Sequence, residues 1–152
     1  MQLPALPRSG RAGTGRPSRP YPVPVLAAAV LAAEGVSFLL VGSAALWLHG
    51  ERIAVADADL VIEPGGQNLQ RLRDALATVA LRPREIPRAG DLPLLGVAGV
   101  GTSYGRVDCL LERGRLDWVR LRRSAVTIPV ADIGVPVAGR ADTRALRRQF
   151  KE

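Results

Sequence analysis

Two aspartates, Asp57 and Asp59, stand one residue apart in "VADADLVIEP", a stretch otherwise apolar enough to be a buried strand. Side chains alternate between faces along a strand. Both carboxylates therefore point the same way, roughly 7 Å apart, while Ala58, Leu60 and Ile62 turn to a core. Carboxylates placed in an apolar sheet are costly unless something pairs with them. Two on one face repel, and one is driven neutral unless a cation sits between them. Oxygen ligands in that arrangement suit Mg²⁺ or Mn²⁺, with water and phosphate completing the coordination shell. A third aspartate, Asp108, shares the anomaly inside "GRVDCLL". If its strand neighbours the first, three carboxylates converge, enough for the paired ions used in in-line phosphoryl or nucleotidyl transfer. The other reading of Asp108 is an ion pair with Arg106, two residues away on the same face.

Upstream, "FLLVGSAALWLHG" sends an apolar strand into Gly42-Ser43 and then a short helix. A glycine there lets a phosphate approach the backbone. The helix start offers free N–H groups and a positive dipole end, and Ser43 adds a hydroxyl. An anion at Gly42-Ser43 and cations at the aspartates together describe a nucleoside triphosphate with its metal ions.

The elements that must position these residues read as follows. Val23 to Glu34 is a buried Ala/Val/Leu helix ending at Gly35, and residues 37–41 form an inner strand. Residues 43–48 form a short helix and 57–62 a strand. Residues 68–80 place Leu69, Leu72, Leu76 and Val79 on one face of an amphipathic helix. Residues 82–91 are loop. Residues 94–103 and 105–112 are strands joined tightly at Tyr104-Gly105, and 116–123 is a helix. "VTIPV" and "GVPVAG" are edge strands or loops, because proline cannot donate to a sheet ladder. Residues 142–150 close the chain as a basic helix. The sum is an α/β domain with a small mixed sheet and flanking helices. The glycines of "GVAGVGTSYG" match neither a Walker loop nor a dinucleotide fingerprint and mark close strand packing. His49 is a base or, more simply, a helix-end cap. Cys109, Trp47 and Trp118 read as packing residues.

The chain has 152 residues and a net charge of +7. Four of the 21 basic residues lie in 1–20 without an acid, and five lie in 140–152 beside two of the 14 acids. Residues 21–139 thus balance twelve against twelve. The basicity belongs to the ends, which weakens a nucleic-acid reading based on a basic folded face. Residues 1–22 read as a disordered basic tail without the apolar core of a secretory signal. Residues 23–139 read as the domain, and 140–152 as a basic C-terminal helix or tail. No apolar run reaches the ~18–20 residues of a membrane span, so no membrane partner is expected. A single cysteine excludes an internal disulfide and fits a reducing, cytoplasmic compartment.

Val41-Gly42-Ser43, a short helix, and then Asp57-Ala58-Asp59-Leu60 thirteen residues on resemble the nucleotidyltransferase superfamily with the polymerase-beta-like fold. With "TSYGRVDCLL", the chain is similar over about residues 24–138 to small bacterial members, some of them from toxin–antitoxin or abortive-infection systems. The resemblance implies Gly42 and Ser43 as the triphosphate-binding pair, and Asp57, Asp59 and Asp108 as metal-binding catalytic carboxylates. Asp108 would help activate the attacking hydroxyl. It implies Mg²⁺ or Mn²⁺, an NTP substrate (ATP among them), and transfer of a nucleoside monophosphate to a hydroxyl of a protein, RNA or small molecule. A partner subunit or homodimer would complete the acceptor site. The chain departs from the family at Ile53, Val55 and Ala56, where members often carry Ser or Thr and a basic residue. "AGRADTRALRRQ" also follows the last strand almost at once, where members have a lysine-bearing helix. The alternative is a non-catalytic module of the same fold acting as an antitoxin-like or regulatory partner.

Overall fold

A computed structural model describes residues 20–111 and 117–151. The expected tail over 1–22 lies almost wholly outside the described residues, as does Leu116, the expected first residue of the fourth helix. The order is α1 (Val23–Ala33), β1 (Phe38–Val41), α2 (Gly42–Leu48), β2 (Asp57–Ile62), α3 (Gly66–Val79), β3 (Val97–Thr102), β4 (Gly105–Leu110), α4 (Trp118–Arg123), β5 (Val126–Val130), β6 (Ile133–Val137) and α5 (Arg140–Lys151). Two short 3-10 turns lie between α3 and β3.

The strands form one mixed sheet in the order β3-β4-β2-β1-β6-β5. β1 runs antiparallel to β2, and β2 parallel to β4, with Asp59 opposite Asp108. The mixed α/β architecture expected from the sequence is the observed one. Alternation divides the sheet into two unlike faces. One carries Phe38, Leu40, Ala58, Leu60, Ile62, Val107 and Cys109, all buried under the apolar side of α3 and under α1. α1 is apolar nearly all round, the composition of a helix enclosed by other elements. The other face carries Leu39, Val41, Val61 and Leu110, which pack with Leu121 of α4 and Leu146 of α5. That second face also carries Asp57, Asp59 and Asp108, and the two helices leave them uncovered.

β6 is not an edge element. It lies inside the sheet between β1 and β5 despite Pro136. Alternation explains why the proline is tolerated. The Ala138 N–H donates to the Leu40 carbonyl, so the nitrogen of Pro136, two residues earlier, faces β1 where the parallel pairing has not yet begun. The ladder to β1 is correspondingly short, a single pairing at Leu40 and Val137. β5, with Pro129, is the edge that the sequence suggested.

α3 starts at Gly66, two residues before the expected start, which places Asn68 in its first turn. The Asn68 side chain is buried. It accepts from the Ser37 N–H (2.7 Å) and donates to the carbonyls of Ser37 (2.8 Å) and Glu63 (2.9 Å). One amide thus ties the start of β1 to the end of β2. Removing it leaves the part-buried Ser37 N–H and Glu63 carbonyl without this partner, each costing about 1–3 kcal/mol when unsatisfied and dry, while the Ser37 carbonyl keeps the Glu63 N–H at 3.2 Å. With partial access of water, Asn68→Ala is expected to lower stability by about 2–4 kcal/mol in urea denaturation, with an unchanged m-value.

Candidate metal and nucleotide site

β2 and β4 are parallel neighbours in a register that sets Asp59 beside Asp108 and Asp57 beside Arg106. This is the arrangement that makes the three carboxylates meet. Ligand oxygens of Asp57, Asp59 and Asp108 all lie within 4.8 Å of one another, and each residue is half-buried. Both sequence readings of Asp108 hold at once. It joins the cluster, and its Oδ1 accepts from Arg106 Nε at 2.9 Å.

Gly42 follows β1 directly and adopts φ +72°, a left-handed conformation open to glycine. Val41 is paired with Asp59, so Gly42 lies against the Asp59 carboxylate, and a Cβ at position 42 would collide with Asp59 Oδ2. Ser43 is in the first turn of α2, half-buried. Gly42, Ser43 and the three aspartates line a single cleft of about 490 Å³, closed by Val41, Ala54, Ala56, Val97, Leu110, Leu146 and Arg147. That volume is within the range of small-molecule sites. The structure therefore brings together every residue that the sequence proposed for metal and nucleotide.

The positions that depart from the resemblance have a structural reading. Residues 51–56 run without regular secondary structure, Ile53 and Val55 packing on the core and Ala54 and Ala56 facing the cleft. No polar side chain from this segment reaches the site.

Burial is the main force on the Asp59 carboxyl and pushes its pKa up to about 7, with the charges of Asp57 and Asp108 adding to it and those of Arg106 and Arg147 opposing it. Asp57 is also raised, first by burial, then by the charge of Asp108 and a hydrogen bond to it. Burial first, and then the neighbouring carboxylates, oppose ionisation of Asp59, and a divalent cation would favour its charged form.

Gly99 of β3 faces Asp108 across the ladder. A Cβ there would meet the Arg106 guanidinium and come within 2.8 Å of Asp108 Oδ1. The glycine expected to mark close strand packing makes room instead for the ion pair of the neighbouring strand, lying across β3. His49 has its structural role: Nε2 lies 2.8 Å from the Ala138 carbonyl oxygen and pins the end of α2 to the β6–α5 junction. Cys109 is buried on the core face, its thiol pushed up to about 12 by burial. Trp47 packs edge-on against Tyr21 at 6.0 Å between ring centres.

The residues that sequence reasoning missed are on α5. The sequence marks it only as a basic helix, yet Arg140 and Arg144 both donate to Glu51 Oε2, at 2.8 Å and 2.7 Å. They hold the Glu51 carboxyl below its usual range, Arg144 more than Arg140. Arg147 lines the cleft. The signal was positional: Arg147 follows the buried Leu146 and lies one turn beyond the buried Thr143, at the margin of the packed face.

No protein-family model matches the chain, and no curated protein matches it by sequence. A solved structure does match: a candidate nucleotidyltransferase from Thermotoga maritima, 11% identical, with a TM-score of 0.55 over 80% of each chain. The likeness is one of fold, and the chain has a nucleotidyltransferase-type fold. Among the described residues no helix is long and apolar enough to cross a membrane.

Two outcomes follow from the geometry. The folded pKa of Asp59 is above its unfolded value, so between the two the native state holds the extra proton. Metal-free stability then falls as pH rises from about 4 to about 7. Asp59→Asn removes that penalty. With solvent screening in the open cleft, it should stabilise the metal-free protein at pH 8 by about 1–2 kcal/mol, or roughly 3–8 °C in Tm. The gain should shrink at pH 5. Added MgCl₂ should raise the Tm of the wild type more than that of Asp59→Asn. Gly42→Ala should lower Tm and weaken Mn²⁺ binding, followed by electron paramagnetic resonance, because the new methyl group displaces the Asp59 carboxylate.

Proposed function

We infer that the chain is a metal-dependent nucleotidyltransferase that binds an NTP with Mg²⁺ or Mn²⁺ and moves a nucleoside monophosphate onto an acceptor hydroxyl. The observation that carries this reading is the convergence of Asp57, Asp59 and Asp108 in one cleft with Gly42 and Ser43, on a fold shared with a candidate nucleotidyltransferase.

Asp57, Asp59 and Asp108 would hold the divalent ion. When bound, it would neutralise triphosphate charge and polarise the α-phosphate. The remaining work falls to the chain itself. Gly42, lacking a side chain, lets the triphosphate lie against the start of α2, and the Ser43 hydroxyl donates to it. Asp108, held by Arg106, accepts the proton of the attacking hydroxyl. The acceptor oxygen bonds to the α-phosphorus, the bond to the β-phosphate oxygen breaks, and pyrophosphate leaves. The cleft is built by one domain of modest size, so a partner subunit or second copy would supply much of the acceptor surface.

The test pairs a binding and a transfer measurement. Calorimetry with ATP and with GTP should show binding that requires Mg²⁺ in the wild type and is lost in Asp57→Asn/Asp59→Asn. α-Labelled NTPs should mark a co-purified acceptor with the wild type, and the label should fall by about 100-fold or more in Asp57→Asn, as for loss of one transition-state charge contact. Magnesium without effect on nucleotide binding would refute the reading. Nucleotide binding without transfer, joined to stable capture of a partner protein, would favour the non-catalytic module.

A further inference from the structure

We propose that Arg147 grips the outer phosphates of the bound nucleotide, on a helix held in place by the Glu51 clamp, with Glu51 as its positioning residue. This rests on the nucleotide reading above and assigns it a residue from outside the strand-borne cluster.

The charge inventory of the cleft leads there. A triphosphate brings several negative charges to a wall that already carries three carboxylates. A divalent ion held by the aspartates would answer their charge and part of the triphosphate's. The phosphates at the far end still need a cation. Among the described residues lining the cleft, Arg147 is the single basic side chain. Arg106 is close, but its guanidinium is engaged by Asp108 and does not line the cleft. Arg140 and Arg144 are engaged by Glu51. Arg147 makes no ion pair or hydrogen bond among the described residues. A half-buried arginine whose charge reaches Asp59 but that makes no direct pair with it is poised for an anion that arrives from outside, and its planar fork suits bidentate phosphate contact.

The support behind Arg147 is specific. Leu146, the preceding residue, is buried in the same apolar cluster as Leu39, Val41 and Ala138, and Val41 immediately precedes Gly42. The Thr143 hydroxyl donates to the Gly139 carbonyl at 2.9 Å and fixes the start of α5. Glu51, three residues past the end of α2, receives Arg140 and Arg144 from successive turns of the helix. The same α2 begins at the Gly42-Ser43 bend. Glu51 therefore sets the distance between the two walls of the cleft, one carrying Gly42 and Ser43 and the other Arg147.

The experiment compares wild type, Arg147→Ala, Arg147→Lys, Glu51→Ala and the exposed-surface control Arg148→Ala. Binding of ATP, ADP and AMP is measured with Mg²⁺, and binding of Mn²⁺ alone by electron paramagnetic resonance. Arg147→Ala should weaken ATP by about 10- to 100-fold, the range of a charge-assisted contact. AMP should change little, and Arg147→Lys should restore part of the loss. Mn²⁺ alone should bind Arg147→Ala as tightly as wild type or more tightly, because a repelling cation has gone. A merely misfolded variant would lose both ligands. Glu51→Ala should reduce the ATP-to-AMP preference with Mn²⁺ binding kept, and Arg148→Ala should match wild type. An Arg147→Ala protein that keeps wild-type ATP affinity overturns the proposal and leaves the nucleotide reading standing. A wild type that binds no nucleotide with Mg²⁺ overturns both.

Discussion

The molecule is organised around mutual repulsion. Three carboxylates, with oxygens within 4.8 Å of one another, are set into a largely apolar sheet. A fold built for stability alone would not put them there, since each costs solvation and raises the cost of its neighbours. The surrounding features moderate that repulsion. Arg106 pairs with Asp108, Gly99 clears the space for that pair, Gly42 leaves room for Asp59, and Arg147 faces the group from α5. The two-faced sheet is what makes it affordable: one side is sealed by α1 and α3, while the other is half covered and lets solvent reach the acids.

Most of the fold was legible because its elements are short and strongly patterned. β2 has the bounds that alternation assigns it, since an apolar set at even positions and acids at odd ones leave one register compatible with a core. The tight turn at Tyr104-Gly105 identifies the hairpin. The cluster was legible by a different route. Each acid was an anomaly in its own strand, and the site followed once β2 and β4 were taken as neighbours.

What escaped was tertiary in origin. Pro136 argued against an interior strand, and only the observed pairing shows that β6 still joins β1 through a short ladder at Leu40 and Val137. Asn68 looked like an ordinary first residue of a helix, because two of its three bonds go to Ser37, 31 residues earlier, and the third to the Glu63 carbonyl that the fold brings beside it. The arginines of α5 looked alike, and Glu51, 89 residues before Arg140, distinguishes them. Local pattern gives each element a burial face but does not report which distant charge will stand opposite.

The parallel pairing of β2 with β4 has a consequence for how the chain acquires its site. Parallel neighbours need a long crossover, and here α3 and β3 intervene between Asp59 and Asp108. Closing such a loop is slow in entropic terms and is rewarded late. A nascent chain that has emerged only through β2 carries the Asp-x-Asp pair without its third member. The three acids can meet only once β4, the fourth of the six strands, has been made, and until then the acidic pair stands incomplete.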